Sequence, residues 1–161
     1  MKPILRATAL GRRFPAGEGV WALKKVDLEV AQGEFVLVAG PSGCGKTTLL
    51  NLLGGLDRPT RGDVELKGTA FSKLDESGLA RIRRRELGFV FQFFNLLADL
   101  TAEENVSLPM RMIGLSKAEI ALRTASLLEA VGMSYRAKHT PFELSGGEQQ
   151  RVAVARSLAN N

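Results

Sequence analysis

Cysteine occurs once in these 161 residues, at Cys44, and histidine once, at His139. A lone cysteine excludes an internal disulfide and suits a reducing compartment. His139 has no Cys, Asp or Glu at ligand spacing, so it reads as structural and no metal cluster is proposed. Long apolar runs are also missing. The best candidate, residues 87–100, is interrupted by Gln92, Asn95 and Asp99 and is unsuited to a membrane span. Residues 1–6 lack the apolar stretch of a secretory signal. These absences place the chain in the cytosol. Tryptophan and tyrosine occur once each, and no aromatic residue interleaves with the basic cluster Arg81, Arg83, Arg84 and Arg85. The net charge of +5 therefore reads as a solvated helix face, and no nucleic-acid partner is expected.

What is present begins with enough apolar residues, 45%, to build one domain. Residues 40–48, Gly40-Pro41-Ser42-Gly43-Cys44-Gly45-Lys46-Thr47-Thr48, fit G-x-x-x-x-G-K-[ST] at every fixed position. The glycines let successive backbone N–H groups approach phosphate oxygens that side chains would block. Lys46 can bridge terminal phosphates, and the Thr47 hydroxyl is placed to ligate magnesium. The flanks agree. Glu34-Phe35-Val36-Leu37-Val38-Ala39 reads as an apolar strand before the loop, and a helix starts after it, so helix N–H groups and dipole face a bound anion.

Residues 4–10 and 20–30 alternate apolar and polar side chains, predicting antiparallel strands around a turn at 14–19. Phe14 and Trp21 could each offer a flat face to an adenine ring or simply pack in the core. Residues 54–59 end the first helix, and residues 62–68 alternate like an edge strand. Asp75 is positioned to cap a short helix carrying the arginines. Gly88-Phe89-Val90-Phe91 then reads as a buried strand ending at Gln92, where α/β folds present ligand-binding groups. From residue 93 the pattern turns helical. Thr101 with Glu104 and Ser116 with Glu119 fit capping boxes, and Ile120, Leu127, Leu128 and Val131 give the second helix an apolar face that ends at Gly132.

Another motif, Leu144-Ser145-Gly146-Gly147-Glu148-Gln149-Gln150-Arg151, leads into a helical run. Serine and two glycines at a helix start make a further anion site, for the same reasons as the first. Two phosphate sites on one chain are hard to reconcile with a single nucleotide held by a single subunit.

The loop at 40–48, the glutamine after residues 88–91 and the motif at 144–151 follow one another in the order and approximate spacing of the ATP-binding cassette (ABC) ATPases, which the chain resembles along its whole length. Ile82-Arg83-Arg84, Phe94-Asn95-Leu96-Leu97 and Thr101-Ala102-Glu103-Glu104-Asn105-Val106 look like the lipoprotein-releasing and macrolide-exporter branch. The resemblance implies an α/β P-loop NTPase core with an antiparallel β subdomain and an inserted α-helical subdomain. Residues 1–92 would hold the β subdomain and P-loop core, residues 93–144 the helical subdomain and residues 145–161 the signature and its helix. It makes Phe14 the adenine-stacking aromatic, residues 40–48 the ATP cradle, and Gln92 a contact to magnesium and the attacking water. Ser145, Gly146, Gly147 and Glu148 would meet ATP held by a second subunit in a head-to-tail dimer, which resolves the problem of two sites. Transmembrane permease subunits would then hold the protein at the inner face of the membrane. The family's apolar strand ending in Asp-Glu, its D-loop and its switch histidine do not occur in these residues, which implies a partial cassette too slow in hydrolysis to drive transport alone. Other readings are a soluble ABC protein of DNA repair or translation and a non-catalytic nucleotide-binding module. The segment at 93–144 is too short for the long coiled coil of the repair proteins.

Overall fold

Alternating side chains produce the two long strands that the sequence predicts. In a computed structural model that describes residues 2–15 and 19–160, β1 (Leu5–Phe14) pairs antiparallel with β2 (Val20–Val30), from Leu5 opposite Val30 to Phe14 opposite Val20. The turn expected at 14–19 includes residues 16–18, which lie outside the described residues. Strict alternation would send Ala7 and Leu10 to opposite faces, yet both are buried. A bulge reconciles them. The register shifts between Ala7 and Leu10, Ala9 adopts a left-handed φ of 46°, and its N–H donates to Asp27 Oδ1 at 2.7 Å.

β3 (Arg61–Leu66) lies against the other side of β1, and the two-residue β4 (Thr69–Ala70) folds back on it, giving the order β2-β1-β3-β4. The sequence predicts an edge strand at 62–68; the edge is instead taken by β4. Lys67 and Gly68, with φ of 48° and 82°, make the tight hairpin that returns the chain. A greater difference concerns residues 34–39 and 88–91, expected as strands. Both are unpaired among the described residues, and Phe35 and Leu37 are exposed. Continuous apolar runs suit a strand bonded on both sides and covered on both faces, and the antiparallel sheet described here offers neither segment a ladder.

The described residues divide into two compact units, Met1–Ala80 and Arg81–Asn161. The first contains the sheet and α1 (Lys46–Leu53), which buries Leu49, Leu52 and Leu53. The boundary falls within α2 (Glu76–Glu86), where Asp75 Oδ1 accepts the Gly78 N–H at 2.7 Å as the sequence predicts. The second unit packs α3 (Ala102–Met112), α4 (Lys117–Ala130) and α5 (Gly146–Ser157) around Val106, Leu128, Met133, Leu144 and Val152. Both expected capping boxes form, with Thr101 and Ser116 accepting the Glu104 and Glu119 N–H groups and the two carboxylates reaching back. Gly132 follows α4 with a φ of 67°.

Candidate functional site: an open helix start and a capped one

α1 lacks the devices that close the other long helices of the chain. Its N-cap is Gly45, which contributes no side-chain hydrogen bond, and its first turn holds no acid. Helix N–H groups left without a side-chain acceptor favour a bound anion. Gly45 has a φ of 97°, and a Cβ there would lie 2.6 Å from the Ala22 carbonyl oxygen on β2, so glycine alone satisfies both demands. The loop ahead of it closes on Lys46. That ammonium donates to the carbonyls of Gly40 at 2.8 Å and Pro41 at 2.7 Å and lies 3.7 Å from Cys44 Sγ. Ser42, Gly43, Cys44 and Thr47 are exposed around it, and Thr48 is half-buried. Together they make an exposed loop folded over one cation. The donor set fits a polyphosphate, and the Thr47 hydroxyl is a hard oxygen ligand of the kind magnesium accepts.

Phe14 ends β1 and is 39% exposed. The Arg12 guanidinium sits 4.8 Å from its ring centroid and pairs with Asp57 at 2.9 Å, so one ring face already carries a cation. Trp21 is covered in the same way by Arg61 at 4.4 Å.

In the second unit Ser145 caps α5 and accepts the Glu148 N–H at 3.4 Å. Glu148 Oε2 reaches back to the Ser145 N–H at 2.8 Å and its hydroxyl at 2.7 Å. Its other oxygen accepts from the Tyr135 hydroxyl at 3.1 Å and the Arg136 Nε at 3.3 Å. The carboxylate of Glu148 is thus committed to bracing the turn. Gly146 and Gly147 are exposed beside it, and a Cβ on Gly146 would meet nothing within 4 Å. Gln92 is exposed in a turn closed by the Phe94 N–H to the Phe91 carbonyl at 3.0 Å.

A family model described as ABC transporter matches residues 23–161. The chain belongs to the ABC transporter family. An ABC transporter ATP-binding protein of Thermotoga maritima is 49% identical over 162 residues, covering 100% of this chain and 69% of that protein. The lipoprotein-releasing system ATP-binding protein LolD of Xylella fastidiosa is 46% identical over 160 residues, covering 99% of this chain and 67% of its own length. The chain thus spans about two thirds of these curated relatives. A solved ATP-binding cassette, dimeric and in a post-hydrolysis state bound to ADP and Pi, superposes with a TM-score of 0.92 at 44% identity over 98% of this chain and 70% of its own. The fold is that of an ABC cassette, of the α/β P-loop class, and the chain is an ABC transporter ATP-binding cassette. Among the described residues no helix is long and apolar enough to cross a membrane.

Several contacts that organise the cassette give no signal in motif spacing. Tyr135 and Arg136 brace Glu148 from outside the motif. Gln149 donates from Nε2 to the carbonyls of Pro141 at 2.9 Å and Leu144 at 3.0 Å, fixing the approach to α5. Asn105 is fully buried; its amide donates to the carbonyls of Leu97, Leu100 and Thr101, and its Oδ1 accepts the Leu97 N–H at 2.7 Å. Such a network is expected wherever a buried polar group must be satisfied.

The bonds from the Ser145 hydroxyl and N–H, aided by Tyr135 and Arg136, hold the Glu148 carboxyl at about 2, against an ordinary 4.5. Thr101, Ser116 and Thr140 lower Glu104, Glu119 and Glu143 for the same reason. In each pair the unfolded chain takes up its proton first as the pH falls. This stabilisation is complete above the ordinary value of 4.5, and the Glu148 share is lost as the pH falls toward about 2. Urea midpoints followed by far-UV circular dichroism should therefore decline through that interval, and Glu148→Gln should flatten the decline. A midpoint that rises on acidification would contradict the bracing.

Proposed function

We propose that this chain belongs to the ATP-binding subunit of an ABC transporter, which binds and, when complete, hydrolyses Mg-ATP in a head-to-tail dimer to drive export or lipoprotein release through transmembrane permease subunits. The observation that carries the reading is the loop closed on Lys46 ahead of an uncapped helix start, a cradle whose donors suit a triphosphate. Backbone N–H groups at residues 40–48 hold the phosphates, Lys46 offsets their charge, and Phe14 stacks its open face on the adenine. Thr47 and Gln92 supply hard oxygen ligands to magnesium, which when bound neutralises charge developing on the transferred phosphoryl group. Gln92 also orients the attacking water. The exposed turn of Ser145, Gly146 and Gly147 meets the terminal phosphate held by the opposite protomer, with Glu148 keeping that turn in shape. LolD carries the words lipoprotein-releasing in its name. Its 46% identity is the support for that branch of the proposal. In this reading the protein is cytoplasmic and sits at the inner face of the membrane through its permease partners.

Gly146→Ala tests the dimer. Open space surrounds that position, so stability should change by no more than about 0.5 kcal/mol. The added methyl crowds the anion-facing turn, so Mg-ATP should still bind while the nucleotide-induced doubling of mass in light scattering disappears. Unimpaired doubling would remove the signature turn from the interface. The exposed thiol of Cys44 gives a second test. Alkylation should block ATP binding and bound Mg-ATP should slow alkylation; equal labelling with and without nucleotide counts against the cradle.

A further inference from the structure

We propose that Arg156 is a positioning residue that fixes the turn carrying Gln92, acting from the helix whose first turn carries Ser145, Gly146 and Gly147. Phe94 and Asn95 lie two and three positions after Gln92, and both hold left-handed φ values, 59° and 48°. Two successive non-glycine residues rarely adopt that conformation without something to impose it. The half-buried Arg156 guanidinium does so. Its Nη2 donates to the Phe94 carbonyl at 2.6 Å and its Nη1 to the Asn95 carbonyl at 2.5 Å, one planar fork spanning two consecutive peptide oxygens. The neighbouring residue holds the other side of the same segment. A Cβ on Gly88 would lie 1.9 Å from the Ser157 carbonyl oxygen, so the chain four residues before Gln92 runs directly against α5. Arg156 and Ser157 thus grip the segment on both sides of Gln92, at one end of a continuous helix whose other end is the signature turn. A shift of α5 at either end must be felt at the other.

The inference rests on the proposed role of Gln92 in hydrolysis, and its test separates the two. Arg156→Lys keeps the charge and loses the fork. In the full-length protein with Mg-ATP it should lower kcat by about 10- to 100-fold, the cost of a misplaced catalytic group, with KM changed less than about twofold. In a Gln92→Ala background the same substitution should change kcat by less than about twofold, because the positioned group is already gone. Equal losses in both backgrounds overturn the proposal. Wild-type turnover by Gln92→Ala alone would instead sink the assigned role of Gln92. Amide exchange at Phe94 and Asn95, measured without nucleotide, does not depend on turnover. It should accelerate in Arg156→Lys, and unchanged exchange overturns the proposal whatever the protein hydrolyses. If Arg156→Lys fails to fold, adding Asn95→Gly decides. Glycine is at home at positive φ and should restore folding, and continued failure overturns the clamp.

Discussion

In the full-length protein, Lys46→Ala should lower ATP turnover by at least about 10²-fold, the usual cost of removing one electrostatic stabiliser from a phosphoryl-transfer site. The side chain has two tasks, and alanine ends both. Its ammonium lies between the carbonyls of Gly40 and Pro41, so it holds the loop closed. It is also a cation in the middle of the cradle, where the phosphates of the proposed nucleotide would be received. Lys46→Arg is not a conservative control, because a rigid guanidinium fork cannot replace a compact ammonium within so tight a turn. Turnover assays paired with titration of a fluorescent ATP analogue would separate the tasks. Loss of both binding and turnover means that the loop has opened; loss of turnover with binding intact means that the charge acts mainly on the reacting phosphate. Unchanged turnover would remove residues 40–48 from the chemistry.

The second large effect concerns stability. Gly88→Ala should destabilise the fold by about 1–3 kcal/mol, the range for overpacking a filled site. The position is not left-handed, so the penalty is purely one of space: the new Cβ would lie 1.9 Å from the oxygen and 2.8 Å from the carbon of the Ser157 carbonyl. Backbone atoms cannot rotate aside as a flexible side chain can. For a chain of this size each kcal/mol lowers the melting temperature by about 2–4 °C, which calorimetry resolves. Segment 88–91 should also lift from α5, so the variant should lose protection from amide exchange there first. A melting temperature unchanged from wild type would mean that the close crossing of Gly88 and Ser157 is absent in solution.

The features legible in the sequence are those whose cause is local. The loop at 40–48 is read from spacing because every backbone group it needs lies within nine residues. The capping boxes at Thr101 and Ser116 are read from a three-residue interval for the same reason. Elements that need a distant partner are another matter. The apolar runs at 34–39 and 88–91 carry the composition of strands, but a strand exists only when a neighbour completes its hydrogen bonds, and no neighbour pairs with them among the described residues. The edge position expected of β3 fell to β4 because a hairpin of two residues is nearly invisible to periodicity. Arg156 and Tyr135 lie outside the motifs, and the place of Asn105 within residues 101–106 does not reveal its buried network. Each acquires its role from carbonyls or carboxylates brought near by folding, such as the oxygens of Phe94 and Asn95, which are about sixty positions from Arg156 in the chain.

The capping boxes also bear on the order in which the chain acquires structure. Each joins residues three positions apart, and closures of that length take far less than a microsecond. The sheet imposes a longer search, since β1 cannot pair with β3 until Leu5 finds Leu66. Contacts that are near in sequence form fast, and those that are far form slowly. The helices of the second unit should therefore nucleate as soon as their residues are made, while β1, synthesised first, waits for its second neighbour. The later part of the chain carries the instructions that act soonest.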